Sequence, residues 1–246
     1  MRIRGVVLTL NEGPFIGDCL RSLTGVVDDI LVIDSGSTDE TVKIARSLGA
    51  RVLELPWLGF ARTRNVALEC SLMMDWVLFV DADERLTPAL AQEVRDAAGT
   101  ATPSTDGFLI PRRNIVCGKI MRSSGWWPDY QLRLLRPDRC RYDDHHQVHE
   151  FPHCHGTTLA LNNPLLHLNY RSWLEFAGKQ FHYARLAAPH VSEPRKRAYL
   201  GAPVREFVRR YVTQSGIVDG LHGFAAATFL ALAEFYRVWL ARRSVH

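Results

Sequence analysis

The sequence predicts an α/β fold with a mostly parallel central sheet that is flanked by helices. The first hundred residues alternate between strand-like and helix-like patterns, which is typical of strand–helix units that build a parallel sheet. The run from Trp76 to Val80 is entirely apolar, and such runs form central strands that are covered on both faces. With 246 residues, of which 47% are hydrophobic and 23% charged, the chain can bury a sizeable core.

The elements of the first hundred residues follow one another in a regular order. Strands are expected at residues 3–10, 30–34, 52–55 and 76–81. Ser37 and Glu40 have the spacing of a capping box at the start of the second helix. Two apolar stripes at helical spacing lie between the strands, namely Phe15, Ile16, Cys19, Leu20 and Leu23, and then Val42, Ala45 and Leu48.

The regular alternation weakens after about residue 107. Three shorter strands are expected in FLIPRRNIV, YQLRLLR and PLLHLNY, and the pattern becomes helical again from Trp173. We therefore expect one domain over residues 1–170, made of halves 1–100 and 101–170, followed by a helical extension over residues 171–246.

The net charge of +4 is unevenly distributed along the chain. Residues 1–100 hold 10 Lys and Arg against 15 Asp and Glu, a balance of −5, whereas residues 195–246 hold 9 against 3, a balance of +6. A basic tail suits nucleic acid, an anionic membrane or acidic substrates. Residues 223–233 are apolar, a stretch too short to span a bilayer, so we expect it to lie in a membrane interface, pack between subunits or close the core.

The cysteines and the N-terminus indicate the compartment. Five cysteines, odd in number and without a CxxC pair, predict reduced thiols and argue against a disulfide framework or a Cys-only zinc site. The N-terminus has neither a secretory nor a spanning pattern, so we expect a cytoplasmic protein. The histidine-rich run at residues 145–155 follows no well-known zinc spacing, which favours a loop lining the active site over structural zinc.

Polar side chains follow the predicted strands at the edge where open α/β sheets bind ligands. A cluster of carboxylates at the exit of a buried strand is costly unless positive charge lies among them. Asp81 and Asp83 alternate onto one side, so both can face a divalent cation that bridges a diphosphate; the alternative is a solvated turn that caps the next helix. The residues of this edge are Thr9, Asn11, Glu12, Asp34, Ser35, Asp81, Ala82 and Asp83.

Two further positions on this edge leave alternatives open. Asp34 can accept from a nucleobase N–H, or it can cap the next helix together with Ser37. Arg64 and Asn65 can brace the Asp cluster or contact a diphosphate, whereas Arg62 is expected to form an ordinary surface salt bridge.

The ordered set TLNE, VIDSGSTDET, GFARTRN and VLFVDADE resembles the GT-A, family 2 glycosyltransferases, inverting enzymes that transfer a sugar from a nucleotide diphosphate donor. WLGFARTRN, WWPDYQLRLLR, QVHE and VDGLHGF are similar to the branch of β-1,4-glucosyltransferases that modify heptose in the lipopolysaccharide inner core. ARTRN stands where a QRN-like sequence is commoner, which leaves Arg64 and Asn65 in register. The resemblance implies the GT-A fold over residues 1–170.

The resemblance also implies residue roles. Asp34 is expected at the nucleobase, Asp81 near the ribose or metal, and Asp83 on the metal, which is Mg²⁺ or Mn²⁺. An inverting transfer needs a base for the acceptor hydroxyl, and Glu150 is preferred over Asp129. The remaining expected contacts are His149 at the metal or diphosphate, the other residues of the edge with Arg64 and Asn65 around the donor, and Trp126, Trp127 and Tyr130 at the acceptor sugar, with core packing as the alternative for the Trp pair.

The expected substrates are UDP-glucose and a lipid-anchored saccharide at the cytoplasmic face of the inner membrane, with peripheral membrane contact and no nucleic acid. The oligomeric state stays open. One alternative is a non-catalytic nucleotide-sugar or membrane-binding module that keeps the fold. An aspartyl phosphatase is disfavoured, because that class carries its Asp-x-Asp after the first strand with Thr two residues on, where this chain has Arg85.

Overall fold

The computed structural model describes residues 1–143, 151–192 and 200–243. The chain forms two compact units that are not simple consecutive segments. The first unit contains Met1–Arg112 and Tyr130–His167, and the second contains Arg113–Asp129 and Leu168–His246.

The first unit begins with the predicted alternation of strands and helices. Strands β1 to β4 are mutually parallel and lie in the order β3-β2-β1-β4, which confirms the parallel sheet. The elements are β1 (Ile3–Thr9), α1 (Gly13–Leu23), β2 (Asp29–Asp34), α2 (Thr41–Ser47), β3 (Arg51–Glu54), α3 (Phe60–Glu69), β4 (Trp76–Phe79), β5 (Glu84–Leu86) and α4 (Pro88–Thr100).

The rest of the sheet is mixed. The further strands are β6 (Thr105–Val116), β7 (Lys119–Ile120), β8 (Asp129–Leu135), β9 (Cys140–Tyr142), β10 (Pro152–Cys154), β11 (Thr157–Ala160) and β12 (Leu165–Tyr170). β8 is antiparallel to β4, and β12 is antiparallel to β5. The sheet continues from β4 through β8, β6 and β12 to β5, so the strand that leaves the acidic loop lies beside β12.

Apolar side chains cover both faces of the parallel strands. Trp76 and Leu78 pack into one buried cluster, whereas Val77 and Phe79 pack into a second. This alternation follows from the period of two in a strand, and it explains why β4 is apolar at every position.

Strands β9 and β10 form a separate antiparallel pair in which Cys140 faces Cys154. Their sulfur atoms form a disulfide, so the prediction of reduced thiols is wrong for this pair. Cys19, Cys70 and Cys117 are free. The pairing was missed because the two cysteines are 14 residues apart in sequence and become neighbours only through the register of the two strands.

The second unit is mainly helical and has its own core. Its helices are α5 (Trp173–Ala187), α6 (Gly201–Val208) and α7 (Gly220–Arg243), and a short turn at Gly216–Asp219 precedes α7. Phe176 packs against Tyr170, Trp173 and Phe229 in this core. Asp219 is buried, and its carboxylate accepts from the Ser123 hydroxyl at 2.5 Å, so the start of α7 is anchored to the loop after β7.

The last helix is longer than the apolar stretch suggested. The helical segment Gly216–Arg243 spans 28 residues and is long and apolar enough to cross a membrane. The prediction that this region is too short to span a bilayer is therefore wrong as to length. A core helix of a soluble protein meets the same criterion, so length and composition alone do not place the segment in a membrane.

Candidate functional site

The loops after β1 and β2 are joined by hydrogen bonds. Thr9 and Asp34 are partners in the parallel register, so the two loops start side by side. The backbone amide of Asn11 donates to Ser37 Oγ at 2.8 Å, and the side-chain Oδ1 of Asn11 accepts from the backbone amide of Thr38 at 2.8 Å. Asn11 has a φ of 56°, a left-handed conformation that Asn tolerates better than most residues. The buried hydroxyl of Thr9 has no hydrogen-bond partner in the described part of the chain.

Asp34 is held by its own turn. One carboxylate oxygen accepts from the backbone amides of Gly36 at 3.0 Å and Ser37 at 2.8 Å, and the other accepts from Ser37 Oγ at 2.5 Å. The residue is 1% exposed. Asp34 therefore stabilises its own turn, whereas α2 begins at Thr41 with Glu40 at its N-cap and no side-chain cap hydrogen bond, so the expectation that Asp34 and Ser37 cap this helix is wrong. Ser35 next to Asp34 is half-buried. Glu12 lies at the start of α1, where its backbone amide donates to the Thr41 hydroxyl at 2.8 Å.

The acidic loop after β4 contains the positive charge that the sequence argument required. Arg133 on β8 contacts Asp81 at 3.2 and 2.5 Å and Glu84 at 2.8 Å. Arg64 lies 3.5 Å from Asp81, and Arg112 lies 3.6 Å from Glu84. Glu84 is fully buried and Arg133 is 4% exposed, so both charges depend on one another for compensation. Ala82, which lies between Asp81 and Asp83 in the sequence, is buried.

These contacts change the pKa values of the cluster. Burial raises the pKa of Asp81, but the Arg133 and Arg64 guanidinium groups outweigh burial and hold this pKa well below its usual range. Burial raises the pKa of Glu84, and Arg133 offsets only part of that effect. Burial lowers the pKa of Arg133, but the negative charges of Asp81 and Glu84 raise it by more, so the pKa of Arg133 lies above its ordinary value. Asp81 and Arg133 are thus held in their charged forms.

Asp83 has a different partner from Asp81. Its Oδ2 lies 3.4 Å from Nε2 of His167, a residue of β12 that pairs with Glu84 of β5. Asp83 retains 28% exposure of its side chain and His167 retains 12%. His167 was not selected from the sequence, because only the pairing of β12 with β5 brings it to the acidic loop. Its one sequence signal was a histidine in the middle of the strand PLLHLNY.

Asp83 and His167 fit a divalent cation as a partial ligand set. Carboxylate oxygen suits Mg²⁺ and Mn²⁺, and a protein that supplies few ligands leaves coordination positions for phosphate oxygens and water. An imidazole nitrogen in the set favours Mn²⁺ over Mg²⁺, since Mg²⁺ prefers oxygen. Within residues 1–143, 151–192 and 200–243, no group of three or more His, Cys, Asp or Glu side chains is arranged to hold a metal.

Arg64 and Asn65 differ in how they are used. Asn65 is 2% exposed, and its side-chain amide donates to the Tyr142 carbonyl and accepts from the Tyr142 amide, both at 2.9 Å. These two bonds attach α3 to β9. Arg64 instead lies over the rings of Phe60 and Tyr142, at 5.9 and 5.4 Å from their centroids, while it faces Asp81.

The residues predicted at the acceptor fall in several environments. Trp126 packs in the aromatic core of the second unit, with Tyr170 and Phe176 rings at 6.2 Å, which matches the packing alternative. Trp127 is half-buried beneath the guanidinium of Arg113 at 5.2 Å. Asp129 lies 3.5 Å from the Asn114 amide nitrogen. Tyr130 belongs to the first unit and is 41% exposed.

The preferred base Glu150 and the predicted metal contact His149 lie outside the described residues. The same applies to most of the histidine-rich run at residues 145–155, of which residues 151–155 fall within the described chain. Cys154 is already paired in the disulfide.

The carboxyl edge of the parallel sheet thus carries an acidic loop that is bordered by buried Arg133 and by half-buried Arg64 and Arg112. Together with the family match that follows, this arrangement identifies the fold as GT-A. The family model "Glycosyl transferase family 2" matches residues 6–166. The chain belongs to this family.

The chain is similar in sequence to glycosyltransferases and in structure to a solved protein. The chain is 31% identical to the "Lipopolysaccharide core biosynthesis glycosyltransferase LpsC" of Rhizobium meliloti, over 94% of this chain and 90% of the relative. It is also 41% identical to an "Uncharacterized glycosyltransferase" of Rickettsia felis over 38% of this chain, and that match spans only 32% of the relative. The crystal structure of S. aureus TarS 1-349 covers 100% of this chain and 92% of its own, with a TM-score of 0.50 and 17% identity, which supports the fold alone.

Proposed function

We propose that this glycosyltransferase transfers glucose from UDP-glucose, with inversion, to a saccharide of the lipopolysaccharide inner core. The acceptor would be lipid-anchored and met at the cytoplasmic face of the inner membrane. The near-full-length similarity to a lipopolysaccharide core glycosyltransferase supports the acceptor class. The observation that carries the proposed chemistry is the acidic loop, in which Asp81 is paired with arginines while Asp83 faces His167.

The division of labour within the loop supports a donor site. Asp83 and His167 would hold a divalent cation, which when bound neutralises the diphosphate that leaves with the nucleotide. Asp81 is kept ionised by Arg133 and Arg64, so it can accept hydrogen bonds from hydroxyl groups of the nucleotide sugar. The unpartnered hydroxyl of Thr9 and the turn at Asp34 would border the nucleoside.

The first experiment tests metal dependence. Purified protein is expected to release UDP from UDP-glucose with an acceptor saccharide and Mn²⁺ or Mg²⁺, and to stop in excess EDTA. Asp83→Asn and His167→Ala should each reduce the rate by about 100-fold or more, because each removes one of two protein ligands. Asp138→Asn, at an exposed site, is the control and should keep the wild-type rate. Full activity in EDTA would refute the metal.

The second experiment identifies the base. Glu150→Gln is expected to lower kcat by about 100-fold or more, since general base catalysis contributes that much, while a thermal shift with UDP and Mn²⁺ is retained. Asp129→Asn serves as the matched comparison. If only Asp129→Asn lowers kcat, the assignment passes to Asp129.

The donor is tested separately by thermal shift. UDP-glucose should raise the melting temperature more than GDP- or CMP-sugars, because a ligand that binds only the native state stabilises it. Stabilisation by GDP- or CMP-sugars alone would refute the donor assignment and leave the enzyme class intact.

A further inference from the structure

Helix α7 exposes an apolar stripe to solvent. No Asp, Glu, Lys or Arg occurs between Gly220 and Ala233. Leu221, Phe224, Leu232 and Phe235 are 85%, 48%, 48% and 36% exposed. Their spacing of 3, 8 and 3 residues places them on one side of the helix. A helix that faced only water would carry charged residues there, so this side is suited to an apolar environment.

A second apolar stripe lies on α6 and the helical turn that follows it. Val204, Val208 and Val212 recur every four residues and are 62%, 44% and 63% exposed. On another side of this helix, Phe207 and Tyr211 each pack against Phe224 of α7, with ring centroids 5.6 Å apart. The α6 stripe is therefore the side left uncovered when α6 packs on α7.

The connection between the two helices also exposes apolar side chains. Ile217 and Val218, in the turn before α7, are 63% and 65% exposed. We call the following set the apolar face of the second unit: Val204, Val208, Val212, Ile217, Val218, Leu221, Phe224, Leu232 and Phe235.

The charges around the apolar face are positive. Among residues 200–243 the acidic side chains are Glu206, Asp219 and Glu234, and each is occupied: Glu206 by Arg209 and Arg210, Asp219 by burial against Ser123, and Glu234 by Arg237. The exposed basic residues of the two helices are Arg205, Arg242 and Arg243, and Arg209, which pairs with Glu206, is exposed in the turn after α6. An apolar surface bordered by cations complements a bilayer with anionic headgroups.

We propose that the apolar face of the second unit docks on an anionic lipid surface, with α6 and α7 lying in the plane of the interface. A second copy of the chain is the weaker occupant, because a two-fold contact would bring together two surfaces whose borders are both basic. The proposal deepens the proposed function and rests on it for its biological meaning, since it names the surface at which the enzyme would meet a lipid-anchored acceptor.

The test uses the full chain and vesicles of defined composition. Co-sedimentation is measured with phosphatidylethanolamine vesicles containing phosphatidylglycerol and with phosphatidylcholine vesicles. Binding is expected to the phosphatidylglycerol vesicles and to weaken as salt increases. Leu221→Glu and Val212→Glu should each weaken binding at least about tenfold, as expected for the loss of one buried apolar side chain. Arg205→Ala should weaken it about fivefold.

Met73→Glu is the matched control, because Met73 is 78% exposed but belongs to the first unit. It should bind vesicles as the wild type does. All variants should keep wild-type UDP release with a delipidated acceptor saccharide, which shows that they are folded. Equal vesicle binding by wild type, Leu221→Glu and Val212→Glu would overturn the proposal.

Sedimentation of the protein without lipid tests whether a second copy of the chain, rather than a lipid surface, covers the apolar face. A wild-type dimer that becomes a monomer in Leu221→Glu, together with no vesicle binding, would overturn the proposal in favour of a second copy. Vesicle binding without UDP release would refute the proposed function while leaving the docking surface supported. UDP release without vesicle binding would do the reverse.

Discussion

The acidic loops after β2 and β4 solve the same problem in different ways. The Asp34 carboxylate accepts from the backbone amides of Gly36 and Ser37 and from the Ser37 hydroxyl. Asp81 and Glu84 obtain their compensation from Arg133, which is about 50 residues away in sequence. The first loop is stabilised locally, whereas the second depends on the sheet having brought β8 next to β4.

This difference has an energetic consequence. The Asp34 carboxylate is buried, but its donors lie in a turn where Gly36 is exposed, so water can satisfy part of those donors when the carboxylate is removed. A buried carboxylate that loses its guanidinium keeps an uncompensated charge in a low-dielectric environment. The loop after β4 is therefore the more sensitive of the two to mutation. Its carboxylates are compensated by a cation, and removing that cation should lower the free energy of unfolding more than removing a neutral donor.

The largest expected effect comes from removing the shared cation. Arg133→Met should lower the free energy of unfolding by about 3–5 kcal/mol, because it leaves buried Glu84 and Asp81 without their main partner. Urea unfolding at neutral pH measures the change. Arg141→Met, which breaks an exposed pair with Glu69, is the control and should cost less than about 1 kcal/mol. Equal costs for both variants would mean that the buried cluster has no special role.

A smaller effect is expected from Asp81, and it depends on pH. Asp81→Asn should cost about 1.5 kcal/mol at pH 7, the low end for a charge-assisted hydrogen bond because the side chain is 33% exposed. The folded-state pKa of Asp81 is lowered, so its stabilisation is present above the unfolded-state pKa of about 3.9 and is lost as pH falls through the folded-state pKa.

The difference in unfolding free energy between wild type and Asp81→Asn should therefore shrink between pH 5 and pH 2. Urea titrations at several pH values follow it. Comparing the two proteins at each pH is necessary because Glu84 acts in the opposite sense: its pKa is raised, so its contribution is lost as pH rises. A gap that widens in acid would contradict the assigned role of Arg133.

The smallest effect is expected in the local loop. Asp34→Ala should cost about 1 kcal/mol, the usual value for losing a side chain that accepts from turn amides, because Gly36 is exposed and water can replace the carboxylate there. Thermal unfolding measures it, and Asp34→Asn should recover part of the loss. A cost as large as that of Arg133→Met would show that the two loops are not different in kind.

Most of the central architecture could be predicted from sequence because it depends on periodicity. The four parallel strands and the strong burial of Trp76 follow from apolar runs and their alternation with helices. The turn at Asp34 was also accessible, since its donors lie within three residues. The pairing of Cys140 with Cys154 and the contact of His167 with Asp83 were not, because each needs two strands in a particular register.

The amino-acid order by itself determined the fold class, the family and the residues that line the carboxyl edge, because these depend on local propensity, hydrophobic period and motif. Only the tertiary structure decided which side chain each carboxylate meets: arginine for Asp81 and histidine for Asp83. It also decided which apolar side chains of the last helices stay uncovered. The physical reason is that charge pairing and burial act through space over a few ångströms, and sequence separation carries almost no information about such distances.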